Sequence, residues 1–185
     1  QFPAWDCLPY DRASPSTVIT SQRMATLAAL QQPARSKRIL LTTIGALIQR
    51  VISPFRIRQT GAILASGVSI SRERLASLLQ ANGYFRVDTV AEAGEFALRG
   101  SLVDLIPAGS ETGLRLDFFG DEIETIRSFS PQDQRSIGTV ERFELLPAVE
   151  TLMDEDAVRR FRTQYRDLFG VTATGDPLYQ AVSEG

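Results

Sequence analysis

Between Tyr84 and Leu146 the chain breaks into short runs of aliphatic, aromatic and β-branched residues, divided by Ala93-Gly94, Gly109-Ser110, Gly120-Asp121 and Ser130-Pro131. Runs of this length separated by turn-forming pairs specify strands at hairpin spacing, which pair antiparallel. The expected strands are Tyr84 to Val90, Glu95 to Ile106, Leu114 to Phe119, Ile123 to Phe129 and Thr139 to Leu146. A helix precedes them. Ser71 is placed to cap it, Ile70 to staple onto Leu75, and Leu75, Leu78 and Leu79 form an apolar stripe that stops at Gly83 in the C′ position. Residues 59–147 therefore read as an α+β domain, a helix on an antiparallel sheet.

The flanks follow another rhythm. Phe2-Pro3-Ala4-Trp5 and Leu8-Pro9-Tyr10-Asp11 form an opening loop, and Ser14-Pro15 reads as N-cap and first residue of a helix reaching about Leu30. Arg38-Ile39-Leu40-Leu41-Thr42 suits a buried parallel strand, followed by a short helix from Thr43 to about Arg50 and a break at Ser53-Pro54. One strand and two helices cannot cover both faces of a parallel sheet, so residues 1–58 read as part of a truncated α/β domain. Residues 148–185 return to helix. Asp154 is the N-cap, Met153 and Val158 the staple, and Val158, Phe161, Tyr165 and Leu168 the stripe ending at Gly170, with a last helix from Asp176-Pro177. These helices are expected to pack back on the first region, which makes the middle domain an insertion.

Several chemistries are excluded by what the chain lacks. It has no histidine and a single cysteine, Cys7, which removes His-based triads, His-ligated metals, zinc clusters and internal disulfides. No Gly-x-x-x-x-Gly-Lys-Ser/Thr run occurs, and Lys37, the one lysine, follows no such loop. No cofactor and no enzymatic activity are expected of this stretch. Asp104, Asp117, Asp121, Glu122 and Glu124 fall on alternating faces and at a turn, a spacing that suits solvated surface rather than an oxygen-ligand metal site. A net charge of −2 argues against a general electrostatic grip on nucleic acid. No apolar run approaches a membrane span and no signal peptide opens the chain, so a soluble, cytoplasmic protein is expected. This stretch of chain is also expected to be monomeric.

The functional candidates lie on two strands. In Leu114 to Phe119, Leu114, Leu116 and Phe118 share one face, and Arg115, Asp117 and Phe119 the other. If the first set is buried, Phe119 is an exposed aromatic beside an exposed arginine, residue types favoured as interface anchors; if strand twist near Gly120 buries both phenylalanines, it is core. In Glu95 to Ile106 the apolar phase changes from Phe96 and Leu98 to Val103 and Leu105, which a bulge at Gly100 would explain. That leaves Glu95, Ala97 and Arg99 opposite Phe96 and Leu98, with Arg99 exposed either for a partner or as a solvated, acid-paired arginine.

Phe2 to Asp11, together with Gly94-Glu95-Phe96-Ala97-Leu98-Arg99-Gly100 and Leu114 to Ile123, resembles the amino-terminal, UvrB-homology region of bacterial transcription-repair coupling factors (Mfd), and more distantly the excision-repair protein UvrB. The likeness spans nearly the whole chain. Ala97, where UvrB-like sequences place a second arginine, favours the coupling factors. The resemblance implies a helicase-like domain 1 over residues 1–58 and 148–185, and a domain 2 that binds UvrA through Arg99, Arg115 and Phe119. It also implies RNA polymerase and duplex DNA as partners of the full-length protein, an ATP-dependent translocase. The other reading of the residues is a DNA-contacting domain of a repair helicase, with Arg99, Arg115, Arg127 and Arg142 on phosphates.

Overall fold

A computed structural model describes residues 1–8, 13–34 and 36–184. The Pro9-Tyr10-Asp11 part of the opening loop and the final Gly185 lie outside the described residues. The chain divides into two compact units, residues 1–150 and 151–185.

In the first unit, α1 (Thr17–Gln31), α2 (Ile44–Leu47) and α3 (Pro54–Thr60) precede β1 (Ala62–Ala65) and α4 (Arg72–Ala81). There follow β2 (Phe85–Arg86), β3 (Glu95–Arg99), β4 (Leu102–Leu105), β5 (Gly113–Phe119), β6 (Glu122–Phe129), β7 (Ser136–Thr139) and β8 (Arg142–Leu145). Strands β2 to β7 form one six-stranded sheet in sequence order, antiparallel except for the parallel β2–β3 pair, and β1 pairs antiparallel with β8 in a second sheet. This is the expected helix and largely antiparallel sheet. The helix has the expected ends: Ser71 Oγ accepts from the Arg74 amide, and Gly83 adopts a φ of +78° just past Asn82. Leu75 and Leu79 are fully buried and join Phe96, Leu116 and Ile126 in the main core, so the stripe faces the sheet.

Several elements differ from the sequence reading. Gly100 is not in a bulge: Arg99 pairs with Leu102, and Gly100-Ser101 is the two-residue turn of a β3–β4 hairpin, with Gly100 at φ +57°. The reversal places Leu98 opposite Val103, and this produces the change of apolar phase. Tyr84 to Val90 contributes only β2, while Val90 joins Ala97, Ile106 and Phe129 in a second apolar cluster. Within Thr139 to Leu146 the strand is β8, which pairs with β1, a strand the local pattern did not reveal, while β7 ends at Thr139 and pairs with β6.

In the amino-terminal segment the cap is Ser16 rather than Ser14: its Oγ accepts from Ile19, and its own amide is held by Asp6 Oδ1 at 2.9 Å. Ser53-Pro54 starts α3 instead of ending the segment. Arg38 to Thr42 is not a buried strand. Its one ladder contact is a parallel bridge between Phe2 and Thr42, and Ile39 is 88% exposed. An apolar run becomes a strand only where neighbouring strands take up its amides and carbonyls, and among the described residues the bridging partner is Phe2.

The second unit contains α5 (Glu155–Phe169), a 3₁₀ turn (Val171–Gly175) and α6 (Pro177–Glu184). Asp154 Oδ1 accepts from Ala157 at 2.7 Å, and Asp176 Oδ1 accepts from Leu178 at 2.8 Å, so both expected helix starts are present. Phe161, Tyr165 and Phe169 stack in sequence along α5, and Tyr179 of α6 meets the first two. Leu168, expected in that stripe, is exposed, and the ring contact with Tyr165 is made by Phe169, which is also exposed. Among the described residues no helix is long and apolar enough to cross a membrane.

Candidate docking surface on the six-stranded sheet

The strands that carry the candidates are set by cross-strand register. Arg99 of β3 pairs with Leu102 of β4, which pairs with Asp117 of β5, so Arg99 and Asp117 share one row of side chains. Arg115 lies two residues before Asp117 and Phe119 two after it, on the same face. By strand spacing and rise, Arg115 and Phe119 each lie about 12 Å from Arg99. The structure thus brings the three residues onto one face of a hydrogen-bonded sheet.

Alternation along β5 resolves the question of the two phenylalanines. Phe118 is 6% exposed and packs in the main core, whereas Phe119 is 80% exposed. Phe119 pairs with Glu122 across the Gly120-Asp121 turn, where Gly120 has a φ of +61°. The aromatic ring therefore stands at the tip of the β5–β6 hairpin.

Arg99 is exposed and held by main chain rather than by an acid. Its Nε and Nη2 donate to the Asp88 carbonyl at 3.1 and 2.7 Å, and Nη2 donates also to Thr89 Oγ1 at 2.6 Å. These bonds tie β3 to the loop that follows β2.

Arg115 faces the same way as Phe119 but is largely enclosed. Its Nε and Nη2 donate to the two carboxylate oxygens of Asp104 at 2.7 and 2.8 Å, and the guanidinium carbon lies 4.9 Å from the centre of the Phe129 ring. The bond to Asp104 holds the proton on Arg115 even more firmly than on an ordinary guanidinium. Asp104, expected as solvated surface, is 1% exposed. It pairs directly across the strands with Arg115, so the acid is buried beneath its own counter-ion. In the next strand Arg127 stands opposite Arg115 and reaches Asp117 at 3.4 Å, and Asp117 also accepts from Ser101 Oγ at 3.2 Å.

Sequence reasoning missed Asp104, Phe129 and the Arg127–Asp117 pair. The available signal was the opposite charge of Asp104 and Arg115, but its use required the register of the β4–β5 pair. Among the described residues, no three His, Cys, Asp or Glu side chains converge as a metal site. What the face presents is an exposed aromatic ring, an exposed arginine and an arginine held by an internal acid. That combination suits protein contact better than chemistry.

Comparison with known proteins agrees. Residues 63–150 match the family described as the UvrB interaction domain. The chain is 41% identical over 181 residues, 98% of its length, to the transcription-repair-coupling factor of Escherichia coli. It is 38% identical over 185 residues, 100% of its length, to that of Haemophilus influenzae, and 38% identical over 109 residues, 58% of its length, to that of Bacillus subtilis. It spans 16% of the length of the Escherichia coli and Haemophilus influenzae proteins. Residues 63–150 are thus a UvrB interaction domain, and the chain belongs to the transcription-repair coupling factors, in the stretch that fits their amino-terminal, UvrB-homology region.

Proposed function

We propose that this region is a non-catalytic docking module of transcription-coupled nucleotide excision repair, acting in the cytoplasm and recruiting UvrA to sites of stalled transcription through Arg99, Arg115 and Phe119. The observation that carries the reading is Phe119, a phenylalanine 80% exposed at the end of β5 on the same sheet face as Arg99 and Arg115. Burying such a ring against a partner yields about 1.5–3 kcal/mol, and flanking guanidinium groups add directional bonds to acids. RNA polymerase and duplex DNA are partners of the full-length protein. In this reading residues 1–58 and 148–185 belong to one helicase-like domain that carries residues 59–147 as an insertion.

The DNA-contacting reading has less support. Arg115 and Arg127, two of its four arginines, already face Asp104 and Asp117, which offsets the charge a phosphate would need.

A calorimetric titration of the chain against purified UvrA tests the proposal. Arg99→Glu and Phe119→Ala should each weaken binding by about thirtyfold or more, with far-ultraviolet circular dichroism unchanged; Arg115→Glu should weaken it as much and also lower the melting temperature, because it sets a second carboxylate against buried Asp104. Unaltered affinity in all three variants refutes the assignment of the surface.

A further inference from the structure

We infer that Asp104 is a positioning residue of the docking surface, fixing the edge of its guanidinium that Arg115 presents to a carboxylate on the partner; this rests on the docking role proposed above. Asp104 is buried and binds Arg115 side-on, through Nε and Nη2. A guanidinium held along that edge keeps the end-on edge, Nη1 and the second Nη2 proton, for a second carboxylate. The Phe129 ring 4.9 Å from the guanidinium carbon limits tilting of the plane. Arg127, directly across the strands, carries like charge and disfavours rotation of Arg115 towards β6. One guanidinium is thereby braced on three sides by its own sheet.

Stability alone is a weak reason for such a pair. A buried ion pair adds little over well-packed apolar side chains of equal volume, so its use lies in holding a charged group in one orientation. Held rigid, the arginine loses little freedom when a partner binds. An arginine on an open strand would have to be ordered at that moment.

The test is a double-mutant cycle in the intact protein, titrated against purified UvrA, with Asp104→Asn, Arg115→Ala and the double variant. Asp104→Asn should weaken binding at least about fivefold, and the double variant should bind no more weakly than Arg115→Ala, because Asp104 acts through Arg115. Losses that add in full, or Asp104→Asn binding as wild type while Arg115→Ala is weakened, overturn the positioning role and leave the docking surface standing. An Arg115→Ala protein that binds UvrA normally overturns the assignment of Arg115 to that surface. Should Asp104→Asn fail to fold, Asp104→Glu keeps the charge and displaces it by one methylene. Weakened binding then supports the inference, and wild-type affinity alongside a weakened Arg115→Ala refutes it.

Discussion

The guanidinium of Arg23, wholly buried on α1, closes on the carboxylate of Glu150, a residue 127 positions further along the chain. Nη2 donates to Oε2 at 3.2 Å and Nη1 to the Pro3 carbonyl at 2.6 Å, while the Phe2 ring centre lies 4.1 Å from the guanidinium carbon. Trp5 Nε1 donates to the same Glu150 carboxylate at 3.0 Å. The clamp joins the opening segment, α1 and the end of the first unit. Glu150→Ala leaves a buried cation unpaired and should destabilise the protein by about 3–5 kcal/mol. The double variant Arg23→Met/Glu150→Met should lose distinctly less. Urea denaturation of the two proteins checks both values.

Adjacent phenylalanines should behave oppositely. Phe118→Ala opens a cavity in the main core and should cost about 3–5 kcal/mol, whereas Phe119→Ala should change stability by no more than about 0.5 kcal/mol. Chemical unfolding measures the difference, and UvrA binding should respond most clearly in the variant that stays folded.

Two glycines separate backbone strain from crowding. Gly100 and Gly83 both adopt positive φ, but a Cβ at Gly100 meets nothing within 4 Å, while one at Gly83 would approach Val149 Cγ2 to 2.2 Å. Gly100→Ala should therefore cost about 1–2 kcal/mol from conformation alone. Gly83→Ala should cost about 1–3 kcal/mol more, because the Val149 side chain must move. Thermal melts of the two variants give the order.

Tyr84 should make the protein sensitive to alkali. Its hydroxyl donates to the Leu146 carbonyl at 2.9 Å and accepts from the Ala108 amide at 3.1 Å, and burial pushes its pKa from 10.0 to about 12. The folded state thus holds a proton that the unfolded chain releases earlier. This contribution is complete below about pH 10 and is lost as pH rises towards about 12, at up to about 1.4 kcal/mol per pH unit. Unfolding free energies measured across that window should fall more steeply for the wild type than for Tyr84→Phe.

What the sequence determined by itself was local. Ser71, Gly83, Asp154 and the alternation of Leu114 to Phe119 were legible because a cap or a pleat is decided within a few residues, by hydrogen bonds and side-chain direction that the chain carries with it. The same alternation placed Arg115 and Phe119 on one face, and the likeness to coupling factors singled out those two with Arg99. Long-range pairing decided the rest. Whether Ile39 to Leu41 became a strand depended on neighbours, as did the pairing of Ala62 to Ala65 with Arg142 to Leu145, since a strand's main-chain groups are satisfied only by another segment. Asp104 reads as surface along its own strand and is buried only because Arg115 lies across from it. A charge can leave water only where a distant residue supplies its counter-ion, so tertiary structure alone decided that one candidate arginine would be braced from within.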